Sequence, residues 1–196
     1  DALQAREGIV CAVGAGGKKS VLYQLAREHR GRFALTATVH TTVFPDDLGL
    51  QSVIDDDTNL RRRVPAADPD RSVAYACPSS KPGRHAGAAP ETIRAIHDAG
   101  GFVATYVKAD GARMRWIKAP SSDEPLVVPG ADTVIPVVSA RAIGEPLPAS
   151  AHARPPRAAR CGRDPGAFAD YLREPLRCVC LLLRPRPGAR PHGERG

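Results

Sequence analysis

Gly8-Ile9-Val10-Cys11-Ala12-Val13 runs directly into Gly14-Ala15-Gly16-Gly17-Lys18-Lys19-Ser20. The short apolar run reads as a buried strand, and the residues from Lys18 read as the start of an amphipathic helix. Strand, glycine turn and helix in that order bring bare backbone N–H groups and a helix N-terminus to one point. That arrangement suits a phosphoryl group. The standard phosphate loop is G-x-x-x-x-G-K-[ST]. Aligning on Gly17-Lys18 puts Ala12 at the first glycine and Lys19 at the magnesium-binding hydroxyl. Ser20 follows one place late, a rotation of about 100° on a helix. Gly14, Gly16 and Gly17 then offer N–H groups, and Lys18 lies over the phosphates. Two other readings stay open. A dinucleotide fingerprint needs a glycine where Lys19 stands and an acid ending the second strand, and an ordinary glycine turn needs no ligand.

Outward from this stretch, strands and helices alternate. Lys18–Arg30 is predicted helical, with Val21, Leu22, Leu25 and Ala26 on one face, and Gly31 ends it. Strands are predicted at Phe33–Thr38, Val73–Cys77, Phe102–Val107 and Thr133–Val138. Asp46–Pro65 is polar, with room for one short helix, and Pro78–Ala89 reads as a loop. Pro90 suits the first residue of a helix reaching Ala99, stopped by Gly100-Gly101. Strands separated by helices or long crossovers predict an α/β fold with a mostly parallel sheet flanked by helices. Ligands of such sheets bind at the carboxyl ends of strands, where the glycine loop and Asp110 both fall.

The 196 residues suffice for one ordinary core. The domain is expected over residues 1–148, and residues 149–196 are expected to be an irregular Arg/Pro-rich tail, with 184–196 disordered. The net charge is +7, but residues 151–196 hold ten arginines, no lysine and four acids. The body is thus nearly neutral, and nucleic acid is not an expected partner. The abrupt shift in composition leads to the expectation that the tail is an out-of-frame or degraded ending. No stretch is long and apolar enough for a membrane span. The five cysteines follow no framework spacing and are expected to be reduced thiols in a cytoplasmic chain. Cys178-Val-Cys180 is too sparse for a metal site.

Two further constellations carry chemistry. Thr36, Thr38 and His40 alternate, so a strand through all three would turn them to one side. They would lie beside the glycine loop if the first two strands are neighbours. Asp110, in Lys108-Ala-Asp110-Gly111-Ala-Arg113, follows an apolar strand as a magnesium partner of a phosphate loop does. Arg113 could pair with phosphate. For each set an ordinary structural role stays open, strand preference for the threonines and an Asp-Gly turn for Asp110.

Together with Lys118-Ala-Pro120, Glu124-Pro125 and Val134-Ile-Pro-Val-Val138, these motifs resemble the YqeC-like accessory proteins of selenium-dependent molybdenum hydroxylases, over roughly residues 3–148. The resemblance implies a P-loop NTPase-like fold, binding of a purine nucleotide, and a role in maturing such a hydroxylase or its cofactor. On this reading Gly14, Gly16, Gly17, Lys18, Ser20, Thr38, His40 and Arg113 contact the nucleotide, ATP or GTP with Mg. Ser20 and Asp110 approach the metal. The family pattern has Thr where this chain has Lys19, and Glu where it has Lys108. Added cations repel magnesium, so NTP hydrolysis is expected to be weak or absent, and the alternative is a non-catalytic phosphate- or cofactor-delivery protein.

Overall fold

The computed structural model describes residues 3–112, 115, 116, 118 and 123–140, with the backbone of 177–178 and 181–183. The elements in chain order are β1 (Gly8–Gly14), α1 (Lys18–Glu28), β2 (Phe33–Ala37), β3 (Thr41–Thr42), a 3-10 turn (Asp46–Leu48), β4 (Gln51–Ile54), α2 (Asp57–Arg63), β5 (Val73–Ala76), β6 (Arg84–His85), α3 (Pro90–Gly100), β7 (Ala104–Lys108), β8 (Thr133–Ser139), β9 (Arg177–Cys178) and β10 (Leu181–Leu183). Six strands form a parallel sheet in the order β8-β1-β7-β2-β5-β4, and β9 and β10 pair in parallel with β8. β3 and β6 form a separate antiparallel ribbon.

Alternation along β1 explains the two layers. Ile9, Cys11 and Val13 face a core with Leu60 of α2, Val64 at its C-terminal end, and Ile93 and Ile96 of α3. Val10 and Ala12 face the opposite core, closed by Val21, Leu22 and Ala26 of α1. Helices therefore cover both faces, as the strand pattern predicts. Asp132 pins the entry to β8, its Oδ2 accepting the Ile9 N–H at 2.8 Å. Helix α3 begins with Pro90 in its first turn and ends on Gly101 in a left-handed conformation at φ 64°.

Three details differ from the sequence expectation. β4 lies inside the polar 46–65 segment, where only a helix was foreseen. It is a four-residue edge strand with Val53 alone fully buried, too short to show a period. β1 and β2 are not neighbours, because β7 lies between them. β2 also ends at Ala37, so Thr38 and His40 belong to the turn beyond it. Among the described residues Cys11 and Cys77 are free, and no helix is long and apolar enough to cross a membrane. The expected disorder of 184–196 lies outside the described residues.

Ile96 is fully buried in the α3 face. Ile96→Ala is expected to cost about 2–5 kcal/mol in urea unfolding. A loss well under about 1 kcal/mol would show that α3 does not anchor its layer.

Candidate functional site

The carboxyl ends of β1, β7 and β2 open on one mouth, and the glycine loop is its floor. Gly14 has φ 90°, and a Cβ there would come within 2.4 Å of the Val137 carbonyl oxygen. A Cβ on Gly16 would meet the Ser139 Cβ at 2.5 Å. These glycines therefore let the loop lie against β8, with the Ala15 N–H donating to Val137 O at 2.8 Å. Helix α1 then starts after Gly17 with no side-chain cap and no acid in its first turn. Its first-turn N–H groups have no intrahelical partner. Two lysines stand where the helix dipole favours negative charge.

Lys18 is 4% exposed and its Nζ donates back to the Gly14 carbonyl. Burial pulls its pKa down to about 8, against the opposing pull of Asp110. Lys108, at the end of β7, donates to the His40 carbonyl at 2.8 Å. It too is brought down to about 8, by burial and then by the charge of Lys18. Lys19 donates to Thr42 Oγ1 of β3 at 3.0 Å, and burial and the nearby Arg84 lower its pKa.

Asp110 is almost wholly buried. Its Oδ2 accepts the Gly14 N–H at 3.0 Å and its Oδ1 accepts Lys118 Nζ. Lys118 also donates to Glu124 Oε2, and that oxygen accepts the Gly111 N–H at 3.4 Å. Burial raises the pKa of Asp110 despite Lys118. For Glu124 burial acts upward as well, but the hydrogen bonds from Lys118 and Asp110 outweigh it and lower the pKa.

The remaining expected residues are placed as follows. Thr36 Oγ1 donates to Tyr75 O, inside the sheet, at 2.8 Å. Thr38 Oγ1 donates to Leu126 O at 2.8 Å and its N–H to Lys108 O at 3.1 Å. Thr38 thus ties the 123–126 segment to the mouth. Gly87 packs so closely on Thr38 that a Cβ would stand 2.1 Å from its carbonyl carbon. His40 is exposed and contributes its carbonyl, while Ser20 is exposed on the third residue of α1. Arg113 and Pro120 lie outside the described residues. Lys118 and Glu124 had no role derivable from spacing. Only the family resemblance marked them, and their pairing with Asp110 is purely tertiary.

A magnesium ion takes oxygen ligands in near-octahedral geometry, usually one or two carboxylates together with water and phosphate oxygens. Both oxygens of Asp110 already accept hydrogen bonds, one of them from an ammonium group. Among the described residues no three His, Cys, Asp or Glu side chains come together as a metal site. The donor set does not fit the ion. Lys18, Lys19 and Lys108, by contrast, all direct their hydrogen bonds to uncharged oxygens.

The family model described as YqeC protein matches residues 10–156 of the chain. No curated protein and no solved structure matches it.

Two outcomes test this geometry. Lys118→Met leaves Asp110 buried without its cation and is expected to cost about 3–5 kcal/mol in urea unfolding, part of it recovered by adding Asp110→Asn. The second concerns pH. Folded Lys18 and Lys108 titrate near 8 against an ordinary value of 10.5. Between those values the unfolded chain holds protons that the folded chain has released, so their contribution to stability rises with pH. Cys77, raised to about 11 by burial, acts in the opposite sense but is common to all variants. Thermal melts at about pH 7.5 and about pH 9.5 should show wild type gaining on a Lys18→Met/Lys108→Met variant at the higher pH. A constant difference would refute the assignment.

Proposed function

From the premise that this chain belongs to the YqeC protein family, we propose that it holds the phosphoryl end of a purine nucleotide, or of a phosphate-bearing cofactor, without cleaving it. Family membership supports a role in the maturation of selenium-dependent molybdenum hydroxylases. A hydroxylase of that kind, or its cofactor, is the partner this reading names. The glycine loop acts as a deviant P-loop in a P-loop-like domain. Lys18 and the N–H groups of Gly16 and Gly17 hold the phosphates, with Ser20 nearby and Thr38 and His40 at the mouth, and the sequence motif alone adds Arg113 to this set.

One observation carries the reading. A lysine that is 4% exposed stands at an uncapped helix start, and its ammonium group bonds a carbonyl rather than a carboxylate. A buried cation that makes no direct ion pair, with Asp110 and Glu124 acting on it only at a distance, is costly in the free protein. A phosphate supplies the missing charge at the point where helix dipole and N–H groups also favour it. Cleavage has no such support, because Asp110 is committed to Gly14 and Lys118 and no other carboxylate of the described mouth is free of a lysine.

Calorimetric titration with ATP and with GTP tests this. Lys18→Ala is expected to abolish binding, while wild type binds without releasing inorganic phosphate. Undiminished affinity in the variant would remove Lys18 from the site. Magnesium-dependent turnover by wild type would overturn the non-catalytic part.

A further inference from the structure

The mouth carries more positive charge than a single phosphate group needs. Lys18 comes from the loop–helix junction, Lys19 from α1 and Lys108 from β7, and each donates to a neutral oxygen. Arg84, on the β3–β6 ribbon, is near enough to act on Lys19. The carboxylates of the same mouth, Asp110 and Glu124, share Lys118. Ammonium groups gathered around uncharged acceptors repel one another, and the repulsion grows where water is excluded. A polyanion relieves it. A divalent cation meets the same repulsion with twice the charge and finds the Asp110 carboxylate occupied.

In phosphoryl-transfer sites a metal ion bridges the terminal phosphate oxygens and neutralises their charge. We propose that Lys19 and Lys108 take over that neutralisation here, so that the chain binds a di- or triphosphate as the metal-free anion. Magnesium then becomes a competitor, since it chelates the ligand that the lysines would bind. The proposal rests on the phosphate-holding reading above and specifies the charge state of its ligand. Lys18 anchors the phosphate nearest the loop. Lys19 and Lys108, both bonded to the segment that follows β2 at Thr42 and His40, reach the phosphates beyond it, and Arg84 extends the cationic surface beside Lys19.

The test is calorimetry of the full chain with ATP and AMP as probes, in excess EDTA and again in excess magnesium chloride. ATP is expected to bind more tightly in EDTA than in magnesium, and about tenfold or more tighter than AMP. Lys19→Gln and Lys108→Gln are each expected to weaken ATP binding in EDTA by about tenfold. Neither side chain belongs to the buried core, and the EDTA–magnesium comparison on wild type needs no variant. ATP binding that requires magnesium, or equal affinities for ATP and AMP in EDTA, would overturn the proposal and leave phosphate binding standing. Wild-type affinity in both lysine variants would overturn it too. Failure of ATP to bind under either condition would overturn the phosphate reading itself.

Discussion

The carboxylate of Asp110 joins the end of β1 to the segment that follows β7, nearly a hundred residues later. One oxygen accepts the Gly14 N–H at the end of β1, and the other accepts Lys118, which in turn holds Glu124. Because Asp110 is buried, those bonds are poorly exchanged for bonds to water, and breaking either leaves a desolvated polar group. The ends of β1 and β7 are thereby locked at a fixed separation. The loop that follows Gly14 and the segment that leads back through Leu126 to Thr38 both take their positions from that lock. A carboxylate at a strand end beside a glycine loop ordinarily suggests an ion. Here it acts as an internal clamp, hydrogen-bonded to Gly14 and Lys118 and not to Lys18, Lys19 or Lys108.

The architecture was legible where local chemistry and burial agree. Gly8–Val13 is apolar throughout because both faces of β1 are covered, and Pro90 with Gly101 marks the ends of α3 through backbone geometry alone. The acidic residues Asp55 to Asp57 hid an edge strand and a helix start. There Asp56 caps α2 by accepting the Asn59 N–H, and the preceding strand buries little. The threonine run misled in a different way. Thr36 belongs to β2, whereas Thr38 fastens a distant loop, so the same residue type serves two structural ends within three positions.

At the site, the sequence pointed to Lys18 and the loop glycines through spacing, and to Lys19 and Lys108 as departures from a pattern. It could not reveal that Lys118 would enter the mouth. That residue comes from a stretch without periodicity, and its partners are known only once β7 and the returning segment are folded together. The glycines carried two signals at once. Their spacing suggested phosphate contact, while Gly14 and Gly16 are also required by the approach of β8. A pattern of glycines cannot separate those causes, because both demand the absence of a side chain.

The close approach of the loop to β8 has one more effect. A cradle pressed against the Val137 carbonyl and Ser139 has little freedom to collapse inward or swing away. Its conformational entropy is lost during folding rather than at the moment of capture. Any ligand of a loop so fixed would be selected by a shape set in advance, as the proposed phosphate site requires.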